Sequence, residues 1–90
     1  MKLLKLSERK RTPSPHEKRF EKMLFEEGFE ILGIREYKDR AEYKITKDGI
    51  DLDFVTLFDS NRIKVKNVFE ATLKCYEMTK KLKEHELNNK

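Results

Sequence analysis

Tryptophan is absent from these 90 residues, cysteine occurs once, proline twice and glycine three times. A lone cysteine, Cys75, excludes an internal disulfide and fits a reducing cytoplasm, where the chain is expected to work. Two distant histidines and one cysteine cannot build a zinc site. So few glycines and prolines exclude collagen-like and low-complexity classes. Long apolar runs are also missing. The longest, Leu52–Phe58, contains Asp53 and Thr56, whereas a membrane span needs roughly 20 apolar residues. No membrane partner is therefore expected. Met1–Leu6 is leucine-rich but interrupted by Lys5, and it is too short for a secretory leader. The length leaves no room for a cofactor-binding half beside a substrate-binding half, so no cofactor is expected and one small domain is.

Charge is what the chain has in quantity: 42% of residues are Asp, Glu, Lys or Arg, against 37% apolar. It is unevenly divided. Residues 1–15 carry five cations against one acid, residues 16–61 eight against twelve, and residues 62–90 eight against four. The net charge of +4 thus equals the contribution of the first fifteen residues. The rest is neutral overall but acidic in its middle and basic at its end, unlike a uniformly basic nucleic-acid binder.

Along the chain, residues 1–13 read as a flexible basic arm, because clustered like charge with little apolar content cannot offset ordering entropy. Leu3, Leu4 and Leu6 are the exception and suit a short docked strand. A single domain is expected over 14–87, with a frayed end at 88–90. Ser14-Pro15-His16-Glu17 carries three agreeing helix-start signals: an N-cap, a proline in the first turn and a capping box. Gly28 supplies the stop. The spacing predicts a helix over Pro15–Glu27, then strands over Phe29–Tyr37, Ala41–Lys47 and Ile50–Phe58. Asp48-Gly49 marks a two-residue hairpin. That turn opposes Lys47 to Ile50, Ile45 to Leu52 and Tyr43 to Phe54 on an apolar face. It opposes Thr46 to Asp51 and Lys44 to Asp53 on a polar one. Leu32 and Ile34 complete the apolar face. Strict alternation in Arg62–Lys66 suggests a short fourth strand that pairs Phe58 with Ile63 and Thr56 with Val65. Asn67 and Glu70 form a second capping box, opening a helix to about Glu86. The expected fold is α+β, in the order α-β-β-β-(β)-α, with an antiparallel three- to four-stranded sheet and two helices on one face.

Several side-chain sets invite a chemical reading. Asp51 and Asp53 share a strand face at a spacing that suits a divalent cation, or else they are a solvated face opposite Lys44 and Thr46. Glu42-Tyr43-Lys44 is a bare acid-x-lysine pattern that any half-exposed strand can produce. Arg62, Lys64 and Lys66 form a basic ladder. With Arg35 and Lys44 on the same sheet face they would meet phosphates, while Tyr37 would stack on a base. The bland alternative is an edge strand protected by lysines. Lys2, Lys5, Arg9, Lys10 and Arg11 form a phosphate-binding tail or merely a solubilising one. Val55 and Leu57 are expected on the outer sheet face, where they call for a covering element such as the Leu3–Leu6 segment, or for a homodimer through that face. Cys75 reads as a buried structural thiol. His16 and His85 read as surface residues near helix ends.

Two resemblances follow from these residues. The stretches SPHEKRFEKMLFEEGF and GIDLDFVTLFDSNRIKVK resemble the PD-(D/E)xK nuclease fold, in its very-short-patch-repair and Holliday-junction-resolvase-like branches. The resemblance implies that Glu17 matches the helix acid, Asp53 or Asp51 the metal-binding strand acid, and Lys66 the motif lysine. It departs at Lys64, where the family has its second acid. A lysine there repels the Mg²⁺ that would activate water. The helix-strand-strand-strand-helix order is also similar to a double-stranded-RNA-binding domain, without that family's glycine-rich loop.

Three functions are therefore expected in turn. The first is a non-enzymatic module for DNA or RNA, using the arm and the basic strand. The second is a protein-binding inhibitor or adaptor of the kind phages and mobile elements encode against a host protein. Such a protein could be anti-CRISPR-like, its acidic middle (Glu26, Glu27, Glu30, Glu36, Asp39) mimicking nucleic acid. The third is a metal-dependent nuclease using Glu17, Asp51 and Asp53.

Overall fold

The Ser14 capping box forms as its sequence demands. In the computed structural model, which describes residues 3–59 and 64–88 (side chains through Glu86), the Ser14 hydroxyl accepts from the Glu17 N–H at 3.2 Å. The Glu17 carboxylate accepts from the Ser14 N–H at 2.8 Å. Pro15 opens α1 (Pro15–Glu27), and Gly28 closes it in the left-handed region at φ 96°. Three strands follow, β1 (Glu30–Glu36), β2 (Arg40–Lys47) and β3 (Ile50–Phe58), in a sheet of order β1-β2-β3 with antiparallel neighbours. The last element is a 24-residue helix, α2 (Val65–Asn88). The expected α+β fold is the observed one.

Both helices cover one sheet face. Phe20 and Leu24 of α1 and Val65 and Tyr76 of α2 are buried with Ile34, Ala41, Tyr43, Ile45, Ile50 and Leu57. The Phe20 and Tyr43 rings lie 5.4 Å apart, and Phe29 meets Tyr76 edge-on at 5.5 Å. Such tilted pairs add about 1 kcal/mol each beyond their buried area.

The structure corrects the sheet register in two places. The hairpin begins as expected, with Lys47 opposite Ile50 and Ile45 opposite Leu52, but β3 then carries one extra residue. Phe54 absorbs it with φ 56°. Tyr43 consequently faces Val55, and Ala41 faces Leu57. Because side chains alternate with period two, one inserted residue exchanges the two faces. Val55 and Leu57 turn inward, and Phe54 turns outward. A second bulge in β1, between Ile31 and Gly33, puts Ile31 and Ile34 on the inner face and leaves Leu32 exposed.

The fourth strand does not form at Val65 and Lys66, which lie in α2; Arg62 and Ile63 lie outside the described residues. Val65 is buried, so the helix starts two residues before the expected Asn67 cap and seats that side chain in the core. The Lys64 carbonyl accepts from the Val68 N–H at 3.3 Å.

The N-terminal segment is docked where a flexible arm was expected. Leu4 pairs with Ile34 through two backbone hydrogen bonds, 2.8 and 2.7 Å, and so covers the free edge of β1. Leu3 lies so close over Gly33 that a Cβ there would sit 2.5 Å from the leucine Cγ. The leucines thus act as the short strand their sequence suits. A 3₁₀ turn at Leu6–Glu8 then carries the chain back toward α1.

Candidate interaction surface

Three carboxylates face the docked arm. Glu17 and Glu21 stand one turn apart on α1, and Glu36 lies on the inner face of β1; all three are buried, Glu17 to 1% exposure. Two arginines neutralise them. Arg9 makes a bidentate pair with Glu21, at 2.8 and 2.5 Å, and reaches Glu36 at 3.7 Å. Arg11 makes a bidentate pair with Glu17, at 2.8 and 2.7 Å, and reaches Glu36 at 3.6 Å. The Lys10 N–H donates to Glu36 at 2.9 Å, and the Tyr43 hydroxyl donates to Glu21 at 2.8 Å. Bidentate guanidinium pairs are the form in which buried charge is tolerated.

The titration of the cluster follows from its geometry. Burial pushes the Glu17 carboxyl up, but the Arg11 hydrogen bonds, the Ser14 N–H and the charges of Arg11 and Arg9 outweigh it. Together they hold the group below its ordinary range. Arg9 is raised, because its hydrogen bonds to Glu21 outweigh its own desolvation. Burial and the neighbouring Glu21 push the Tyr43 phenol up.

Arg9 and Arg11 are thus tied into the fold, which sequence reasoning missed; the clue available was three glutamates destined for the inner face. Lys5 and Lys10 are exposed. Lys2 and Arg62 lie outside the described residues. Lys64 is exposed at the α2 start, and Lys66 lies on the first turn of α2, 4.0 Å from Glu70. These two lysines are therefore not part of a strand ladder. The nuclease-like strand placement of Lys66 is likewise not what its helical position provides.

The outer sheet face holds the remaining candidates. Lys44 pairs with Asp53 at 3.8 Å, as the hairpin register implies. Arg35 pairs with Glu42 at 3.7 Å and stacks its guanidinium 3.8 Å over the Phe54 ring. Arg40 covers Tyr37 at 4.1 Å, so one face of that ring is occupied. Phe54 stays 37% exposed, and Leu32 and Phe58 are also exposed. Sequence alternation had placed Phe54 in the core; only the bulge reveals it.

The metal candidates do not converge. Glu17 is enclosed beneath the arm on the helix-covered side, while Asp51 and Asp53 are exposed on β3. Among the described residues no three of His, Cys, Asp and Glu come together as a metal site. Cys75 is exposed, not buried. It lines a groove of about 390 Å³ between β3 and α2, with Leu52, Phe54, Val55, Val68 and Ala71. His16 lies 3.8 Å from Asp59, and His85 is exposed. No described helix is long and apolar enough to cross a membrane. No protein-family model, curated protein or solved structure matches this chain.

Proposed function

We propose that this chain is a non-enzymatic protein-binding module, an inhibitor or adaptor working in the cytoplasm, that engages a basic partner surface with its outer sheet face. One observation carries the reading. Phe54 is turned out of the core by the β3 bulge and held under Arg35, within a face where Glu30, Glu42, Asp51 and Asp53 outnumber Arg35, Arg40 and Lys44. Exposed aromatic and arginine side chains in a central position are the usual anchors of protein interfaces. The excess of carboxylates disfavours phosphate and favours lysine- or arginine-rich partners. The test is capture of a stoichiometric protein partner by the tagged chain, compared with Phe54→Ala and Asp53→Lys. Retention by the wild type and loss in both variants supports the reading. Retention by both variants, or no stoichiometric protein, overturns it.

A second reading, a module for DNA or RNA, draws support from the exposed Lys5, Lys10 and Lys64. Labelled single- and double-stranded DNA and RNA, titrated at two salt concentrations, test it. Binding that weakens steeply with salt yet survives Phe54→Ala favours this reading over the first. Absence of binding at low salt removes it.

A further inference from the structure

The second half of α2 outruns the domain. Among the described residues Tyr76 is the last buried one of α2, and Lys83 donates to the Gly49 carbonyl in the hairpin turn at 3.3 Å. On another flank, Ala71, Cys75, Met78, Leu82 and His85 recur at intervals of four, three, four and three. All five are exposed, Met78 to 65% and Leu82 to 63%. At 100° per residue this stripe lies roughly 130° around the helix from Tyr76, so the core-facing stripe cannot account for it. Alternating intervals of three and four are the a/d seam of a two-stranded coiled coil, with Cys75 and Leu82 at a and Met78 and His85 at d. The seam continues the apolar wall that Val68 and Ala71 present to the groove beside β3, and its distal part forms a shallow depression with Lys81.

We infer that α2 pairs in parallel with α2 of a second copy of this chain, through this seam. The flanking charges select both the occupant and the direction. Lys74 and Lys81 occupy g positions, and Thr79 and Glu86 occupy e positions. In a parallel pair each g residue meets the e residue five places further along the partner helix. Lys81 then meets the second copy's Glu86, twice by symmetry, and Lys74 meets Thr79. An antiparallel pair instead brings lysine against lysine along one border, which is unfavourable. The two surfaces adjoin only at the groove, which Phe54 and Cys75 both line; Leu82 and Lys81, the positions substituted to test the seam, lie outside it, so failure of this inference is distinguishable from failure of the proposed function.

The experiment measures the mass of the purified full-length chain by light scattering across a concentration series, together with mild oxidation. The expected mass rises with concentration from 10.9 kDa toward twice that value. Because Cys75 is the only cysteine and sits at an a position, oxidation should link two copies. Leu82→Lys should return the chain to monomer with an unchanged circular-dichroism spectrum, since the residue is exposed. Lys81→Glu should weaken the dimer, and the double variant Lys81→Glu/Glu86→Lys should restore it. A monomer at every concentration overturns the inference and leaves the stripe to a helix of another protein. A dimer that survives Leu82→Lys, or one that oxidation does not link, also overturns it.

Discussion

At the residue scale, Phe54 is the side chain whose role the backbone decides. A non-glycine residue at φ 56° costs on the order of 1 kcal/mol. The Arg35 stack returns a comparable amount, about 0.5–1 kcal/mol at an exposed site. Phe54→Gly removes both terms, so its unfolding free energy should stay within about 1 kcal/mol of wild type in a urea titration, while partner capture is lost. Arg9 behaves differently. Its pair with Glu21 is largely shielded from solvent, and Arg9→Ala leaves buried carboxylates without their cation. A loss of about 3 kcal/mol is expected, measured by the same titration. Glu17 gives the pH dependence. Its pKa in the fold lies below its unfolded value, so it contributes stability above the ordinary carboxylate range and loses it as pH falls through the folded pKa. In Arg11→Ala, burial acts on Glu17 without its main counter-charge. Acid unfolding, followed by circular dichroism, should then begin at a higher pH than in wild type.

At the scale of elements, the arm is part of the sheet and part of the ion cluster. Leu4 closes the β1 edge, and Arg9 and Arg11 neutralise α1 and β1 together. A chain beginning at Thr12 should therefore be less stable by at least about 3 kcal/mol and should aggregate more readily, because an open edge strand invites pairing. A merely solubilising arm would leave the urea midpoint unchanged, and that result would overturn the docked position. Helix α2 changes character near Lys83. Residues before it hold the sheet and the hairpin turn, and the described side chains after it, Glu84–Glu86, are exposed. A chain ending at Lys83 should keep the wild-type unfolding midpoint in dilute solution yet lose the concentration-dependent rise in mass.

At the scale of the whole molecule, the net charge of +4 is a poor guide to what the surface offers. Two of the five N-terminal cations, Arg9 and Arg11, are turned inward onto Glu17, Glu21 and Glu36, and the outer sheet face is left with more acids than bases. Binding to a basic protein partner should accordingly weaken as salt rises, through slower association more than faster release, which stopped-flow measurements at several ionic strengths resolve. Two surfaces, an outer sheet face and a helical seam that adjoin at the β3–α2 groove, would let one dimer present two identical binding faces. Capture of partner by the Leu82→Lys monomer should then show reduced avidity but unchanged single-site affinity.

The sequence by itself determined the elements and their order. The Ser14-Pro15-Glu17 start, the Gly28 stop and the Asp48-Gly49 turn are local devices, satisfied by residues within one helical turn or one hairpin, so they are legible without the rest of the chain. The hairpin register next to its turn and the Lys44–Asp53 pair were legible for the same reason. Only the tertiary structure decided which face Phe54, Val55 and Leu57 occupy, because alternation assumes an unbroken pleat and a single bulged residue inverts it. It likewise decided the start of α2, where burial of Val65 outweighs the Asn67 cap. It also decided the fate of Arg9 and Arg11, whose partners lie 6 to 27 residues away along the chain. Charge counts in sequence cannot tell a cation that meets solvent from one that folds back onto a buried carboxylate; that distinction depends on long-range packing.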